Sequence, residues 1–232
     1  MKDVLLFSAG MDSLIAYFYL NKPDMIYYRL GHRYEGKELR ALTQIEDALK
    51  ISIRRSTMFY LEKFEHADAH IPFRNRLLVQ GAAMEFPDAE KIYLVAQKGE
   101  QSIPDRSPEF FNDMTNLISK EMERKVEVVN PFPHMTKTKM TEWYMQNVKD
   151  EKLLKMTVGC FASTDKHCGE CGSCLRRSVA LEANGIELDE MEKDIRKWEG
   201  IKEYITKMKA GKYDAERTEE TLKVFKDWGY II

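Results

Sequence analysis

Four apolar residues, Val4–Phe7, lead into a polar loop, Ser8-Ala9-Gly10-Met11-Asp12-Ser13, and then into a second apolar run. Similar short runs recur at Met25–Arg29, Ile53–Met58, Lys91–Val95 and Val126–Val129, and they are predicted as strands. The stretches between them predict helices over Ser13–Leu20, Lys37–Leu49, Arg74–Glu85 and Pro108–Glu123. Leu39, Leu42, Ile45 and Leu49 mark one face of the second of these at helical spacing. Strands alternating with helices predict a parallel sheet covered on both faces. With right-handed crossovers, this becomes a doubly wound, mostly parallel five-stranded α/β sheet.

The pattern changes after Pro131-Phe132-Pro133. Helices are predicted over Lys137–Asn147 and Leu175–Asn184, with Gly185 as a stop. From Glu187 the chain is charged and helical, with Ile195, Trp198, Ile201, Tyr204, Ile205 and Met208 at helical spacing. That stripe is expected to pack on the main domain or on a second copy of the chain, as a homodimer. Trp143, Trp198 and Trp228 are expected in cores or interfaces.

Charge narrows the list of partners. Lys plus Arg number 36 and Asp plus Glu 38, with a formal net charge of -2, and the two signs are interspersed. A dedicated nucleic-acid binder would carry a basic excess or stripe, so a small-molecule partner is expected rather than a nucleic acid. No apolar run approaches the roughly 18 residues that span a bilayer. The start has no small-residue cleavage site after its short apolar stretch. A cytoplasmic protein without a membrane partner is therefore expected.

The first loop is a candidate anion site. In a doubly wound sheet, ligands bind beyond the carboxyl ends of the strands, where the strand order reverses. A loop that leaves the first strand and enters a helix brings backbone N–H groups and the positive end of the helix to that point. Gly10 is expected to take a backbone conformation closed to other residues, and Ala9 is small enough for a phosphate to approach. Ser8 and Ser13 add hydroxyls, and Asp12 could hold either the loop or a magnesium ion. Without a ligand, Ser8 or Asp12 would simply cap the helix.

All four cysteines, Cys160, Cys168, Cys171 and Cys174, lie in "CFASTDKHCGECGSC". Such clustering points to a metal site rather than a disulfide framework. Four thiolates can surround one zinc ion tetrahedrally and leave no open position, so the zinc would be structural. An iron–sulfur cluster uses the same ligands. The chain is accordingly divided into an α/β domain, 1–150, and a zinc-binding segment with a helical tail, 151–232.

Ser-x-Gly-x-Asp-Ser after a first strand resembles the pyrophosphate loop of the N-type ATP pyrophosphatases, whose fold is adenine nucleotide alpha hydrolase-like. With Cys-x7-Cys-Gly-x-Cys-x-x-Cys, the chain resembles the 7-cyano-7-deazaguanine synthase family of queuosine precursor synthesis. Gly31-His32-Arg33 with Glu38 is similar to that family's Gly-Gln-Arg-His, and Pro72-Phe73-Arg74-Asn75 to its Pro-Gly-Arg-Asn. Ile103–Phe110 resembles its Tyr-Pro-Asp-Cys-Arg-Pro-Glu-Phe, and Thr136-Lys137 its Thr-Lys. Ala9 and Phe73 stand where the family has glycine. Ile103, Arg106 and Ser107 replace tyrosine, cysteine and arginine in a stretch expected to face the substrate.

The resemblance implies a ligase that uses ATP. It would convert 7-carboxy-7-deazaguanine and ammonia to the 7-cyano compound through adenylated intermediates, releasing AMP and pyrophosphate. Ser8, Ala9, Gly10, Met11, Asp12 and Ser13 would hold pyrophosphate, with Arg74 and Lys137 as cationic partners. Magnesium would bridge phosphate oxygens through Asp12. Asp105 and Glu109 would bind the substrate's amine edge or activate ammonia, or else cap the helix near Pro108. Arg33 and Tyr34 would contact base or ribose, or lie in a surface loop. His66 and His70 have ligand spacing but no third partner nearby, which favours a solvated face. The rival readings are a tRNA-modifying pyrophosphatase of the thiolation or lysidine type, an amide- or nitrile-forming enzyme on another deazapurine acid, and a non-catalytic nucleotide or zinc module.

Overall fold

A computed structural model describes residues 2–232. Five strands, β1 (Lys2–Leu6), β2 (Asp24–Tyr28), β3 (Arg54–Ser56), β4 (Ala89–Tyr93) and β5 (Glu127–Val129), form one sheet in the order β3-β2-β1-β4-β5. Every pairing is parallel, with Leu5 opposite Met25 on one side and opposite Tyr93 on the other. The chain builds outward from β1 to β3, then crosses back to β4, so the order reverses between β1 and β4.

Strand alternation assigns the two faces. Leu5 and Phe7 with Met25 and Tyr27 point to one core, which α1 (Met11–Tyr19), α2 (Glu35–Leu49) and α5 (Lys137–Asn147) cover. Val4 and Leu6 with Ile26 and Tyr28 point to the other, under α3 (Arg74–Glu85) and α4 (Pro108–Glu121). Both faces of β1 are dry, as a central parallel strand requires. The edge strands β3 and β5 are three residues each, shorter than their apolar runs suggested.

The remaining elements are α6 (Glu151–Lys155), α7 (Gly172–Glu182), α8 (Gly200–Lys209) and α9 (Ala215–Asp227). Gly185 sits at φ +68 and ends α7 as expected, with Ile186 N–H bonding back to the Leu181 carbonyl. Leu153, Leu154, Ala180 and Leu181 join the α1 side of the sheet core. The tail's stripe packs within the chain itself: Ile195, Ile201, Ile205, Val224 and Phe225 share a third core with Cys160, Cys168 and Cys174. Trp198 and Trp228 border that core, and Trp143 packs edge-on to Tyr19, ring centroids 5.0 Å apart. No helix among the described residues is long and apolar enough to cross a membrane.

Candidate active site and metal centre

The loop between β1 and α1 differs from expectation in which residue carries the unusual backbone. Gly10 has an ordinary φ of -80, whereas Ala9 takes the left-handed conformation at φ +55. The strain at Ala9, about 1 kcal/mol for a residue with a β-carbon, is held by full burial and by Val158 N–H donating to its carbonyl at 2.9 Å. Gly10 is needed for space instead. A β-carbon there would lie 3.0 Å from Ser8 Oγ and 3.4 Å from the Val158 carbonyl. Ser13 Oγ donates to the Gly10 carbonyl at 2.9 Å, and Ser8 Oγ accepts from Gly10 N–H at 3.3 Å. Neither Ser8 nor Asp12 caps α1: its N-cap is Gly10, with no side-chain acceptor. The free N–H groups of the first turn are therefore left for a ligand.

This loop forms one wall of a cavity of about 250 Å³ at the reversal between β1 and β4. Ser8, Gly10, Met11, Asp12 and Ser13 line it, with Arg74 and Lys137. Lys137, the first residue of α5, is aimed there by the N-cap of Thr136, whose Oγ1 accepts from Lys139 N–H at 3.2 Å. Its ammonium pairs with the Asp12 carboxylate. Burial pushes the Lys137 ammonium below its ordinary value, while Asp12 pulls it back up. Gln97 Nε2 donates to the other Asp12 oxygen at 3.4 Å.

Another part of the cavity wall is aromatic, with Tyr27, His32, Tyr34 and Phe161. The His32 and Tyr34 rings lie 4.1 Å apart, and Tyr34 and Phe161 5.3 Å apart. Glu38 accepts from the Tyr27 hydroxyl at 2.8 Å and lies 3.0 Å from His32 Nε2, which leaves the buried Nδ1 of His32 without a partner. Burial and then the Glu38 charge push the Tyr34 hydroxyl up to about 12, so it stays a neutral donor.

Not every expected residue reaches the cavity. Arg106 does, and its guanidinium holds Glu100 at 2.6 Å. Asp105 and Glu109 are not on its wall. The Asp105 carbonyl accepts from Asn75 Nδ2 at 3.3 Å, and Ser107, not either carboxylate, caps α4. The Glu109 carboxyl sits below its usual range because its own backbone N–H and Ser107 donate to it. Tyr34 lines the cavity, but Arg33 turns away to Glu65 at 2.6 Å. The His66 and His70 rings meet edge-on, centroids 5.6 Å apart, with no third ligand among the described residues. Gln97, Arg176 and the aromatic wall residues Tyr27 and Phe161 were missed by sequence reasoning. The two polar side chains carry no motif, and only the fold brings them to the loop.

Phe73 precedes Arg74 at φ +61, with its ring 72% exposed. A residue with a β-carbon costs about 1–2 kcal/mol there. Glycine would remove that strain while losing about 0.5–1 kcal/mol of backbone entropy. Phe73→Gly is expected to raise stability by about 0.5–1 kcal/mol, read as a higher melting temperature by calorimetry. A lower one would show that the exposed ring packs.

The four sulfurs form a compact group, all within 4.8 Å of one another, and none is in a disulfide. Cys168 and Cys174 sulfurs are 3.8 Å apart, matching the edge of about 3.8 Å in a tetrahedron with Zn–S bonds of about 2.3 Å. Backbone N–H groups of Cys168, Glu170 and Cys174 donate to sulfurs of Cys160, Cys168 and Cys171 at 3.3–3.4 Å, favouring thiolates. Gly169, at φ +71, allows the turn: a β-carbon would fall 1.7 Å from the Lys193 carbonyl oxygen. The cluster fits a structural zinc ion.

Arg177, 2% exposed, clamps this segment to its surroundings. It donates to Asp189 at 2.5 and 3.3 Å, to Thr157 Oγ1 at 2.6 Å and to the Leu154 carbonyl at 3.2 Å. His167 beside it stays neutral: burial and then Arg177 lower its pKa to about 4. Its Nε2 then accepts from Gly159 N–H at 3.2 Å, fixing the backbone just before Cys160.

Residues 61–185 match the family described as queuosine biosynthesis protein QueC. The chain is 26% identical over 215 residues to a 7-cyano-7-deazaguanine synthase of Nautilia profundicola, covering 80% of this chain and 96% of that one. It is 27% identical over 217 residues to one of Nitratiruptor sp., covering 81% and 96%, and 24% identical over 213 residues to one of Aliarcobacter butzleri, covering 79% and 92%. A profile that matches more than half of the chain, spanning Arg74, Lys137 and the four cysteines, places it: the chain belongs to the QueC family of queuosine biosynthesis proteins.

Proposed function

We propose that this chain is an ATP-dependent ligase that makes 7-cyano-7-deazaguanine from 7-carboxy-7-deazaguanine and ammonia. The carrying observation is the uncapped first turn of α1, which faces one cavity with Arg74 and Lys137. Backbone N–H groups with flanking cations are what a polyphosphate chain requires.

The chemistry follows from the leaving group. A carboxylate resists attack because it would have to expel oxide. Transfer of AMP to its oxygen turns that oxygen into a phosphate ester and releases pyrophosphate. Ammonia then displaces AMP to give the amide, and a second adenylation, on the amide oxygen, allows loss of that oxygen to leave the nitrile. Charge builds on the phosphate oxygens, which the loop N–H groups, Ser13, Arg74 and Lys137 would neutralise. Magnesium on those oxygens would be held through Asp12, drawing it from Lys137. The aromatic part of the wall fits a flat heterocycle, with the His32 and Tyr34 polar groups available to its edge. Arg106 is the cation for the acid's carboxylate. Asp105 and Glu109, beyond the cavity wall, would act only in a closed state.

The test is a pyrophosphate-release assay with 7-carboxy-7-deazaguanine and ammonium, with the product identified by mass spectrometry. The acid is expected to stimulate release and yield the nitrile, with AMP rather than ADP as coproduct. Stimulation by tRNA but not by the acid would replace this reading with a tRNA-modifying one.

A further inference from the structure

The helical tail, beyond the family-matched residues, packs against elements that wall the cavity. Its last helix, α9, is tied down across the start of α5. Glu216 holds Lys98 at 2.6 Å and also Lys139, while Glu220 accepts from Thr136 Oγ1 at 2.9 Å. Between α5, α7, α8 and α9 lies a notch of about 20 Å³ whose polar wall is Lys137, Arg176, Arg217 and Gln97, with Tyr204 and Met208 of α8 on its apolar side. Lys137, Arg176 and Gln97 also wall the main cavity, so the two spaces adjoin. The notch has room for about one water-sized atom, such as an oxygen of an oxyanion.

The two arginines there are unlike the others nearby. Arg106 and Arg177 each hold a carboxylate. Neither the Arg176 nor the Arg217 guanidinium has an ion pair or hydrogen bond among the described residues. Arg217 only lies over the Tyr213 ring, 4.9 Å from its centroid. Burial, then the charge of Arg176, hold the Arg217 guanidinium below its ordinary value. Glu220, the acid on the notch wall, is occupied by the Thr136 hydroxyl. Two half-buried like charges with unused N–H forks are costly alone and are relieved by an anion between them.

We propose that Arg217 of the tail, together with Arg176, binds terminal phosphate oxygens of the nucleotide and retains pyrophosphate after it is cleaved. The proposal rests on the ATP reading above and gives the tail a part in the site: it completes the polyphosphate pocket beyond Lys137.

Inorganic pyrophosphate, ATP and, separately, AMP are titrated into the full chain by calorimetry, for wild type, Arg217→Met and Arg176→Met, and the Michaelis constant for the acid is read from the pyrophosphate-release assay. Each variant is expected to weaken pyrophosphate binding about tenfold or more while leaving AMP binding unchanged, as for loss of a charge-assisted hydrogen bond. Arg217→Lys should recover part of the loss, and it serves as the test if the methionine variant unfolds. Unchanged pyrophosphate affinity in a folded variant overturns the proposal and leaves the ATP reading standing. A raised Michaelis constant for the acid alone overturns it too, assigning the pair to the carboxylate. If wild type binds neither ATP nor pyrophosphate, the functional reading fails and this one with it.

Discussion

Lys137→Ala is expected to lower kcat for pyrophosphate release by about 10²–10³, the cost of deleting one preorganised donor to developing charge. The variant should fold, because the ammonium faces the cavity and the helix keeps its Thr136 cap. Lys137→Arg should restore part of the rate, since a guanidinium keeps the charge but cannot occupy the same point. The lysine's environment adds a pH signature. Burial lowers its pKa and Asp12 raises it. In Asp12→Asn the raising partner is gone, so the alkaline limb of the residual activity should move to lower pH. A Lys137→Ala enzyme with unchanged kcat would remove this residue from the phosphate site.

Loss of the metal should have the largest effect on stability. One zinc per chain is expected by elemental analysis, and chelation should unfold the segment from Cys160 onward, because structural zinc contributes on the order of 10 kcal/mol. Hydrogen exchange should then rise through α7 and the tail, whose apolar residues pack directly on Cys160, Cys168 and Cys174. It should spread to the cavity as well. Cys171 caps α7 by accepting from Cys174 N–H at 3.4 Å, and α7 carries Arg176 to the cavity wall. Cys174→Ser should mimic the stripped protein. A metal-free chain with native exchange rates would refute the assignment.

The elements that fill the sheet were legible in sequence because burial writes itself into composition. β1, β2 and β4 are apolar runs with neighbours on both sides, and their predicted positions hold to within a residue or two. The cysteine centre was legible too, since its ligands are local in the chain. The loop between β1 and α1 was legible as a turn into a helix but not in its backbone: glycine at position 10 suggested the left-handed turn, and Ala9 takes it. Nothing in the sequence separates Arg176 and Arg217 from ordinary solvated helix charges, because the notch exists only once α5, α7, α8 and α9 have packed. The tail's stripe announced that it would be covered, but periodicity does not say by what.

The strand order has a consequence for biosynthesis. β1 is made first and belongs at the centre, yet one of its two edges has no partner until β4 appears. About 60 residues separate the end of β2 at Tyr28 from the start of β4 at Ala89. At about 5–20 residues per second, a ribosome leaves that edge open for roughly 3–12 seconds. Through that interval the nascent chain carries the apolar Val4-Leu5-Leu6 of β1 as an open template for mispairing. A nascent chain that stalls before β4 should therefore depend on chaperones more than one that stalls after it.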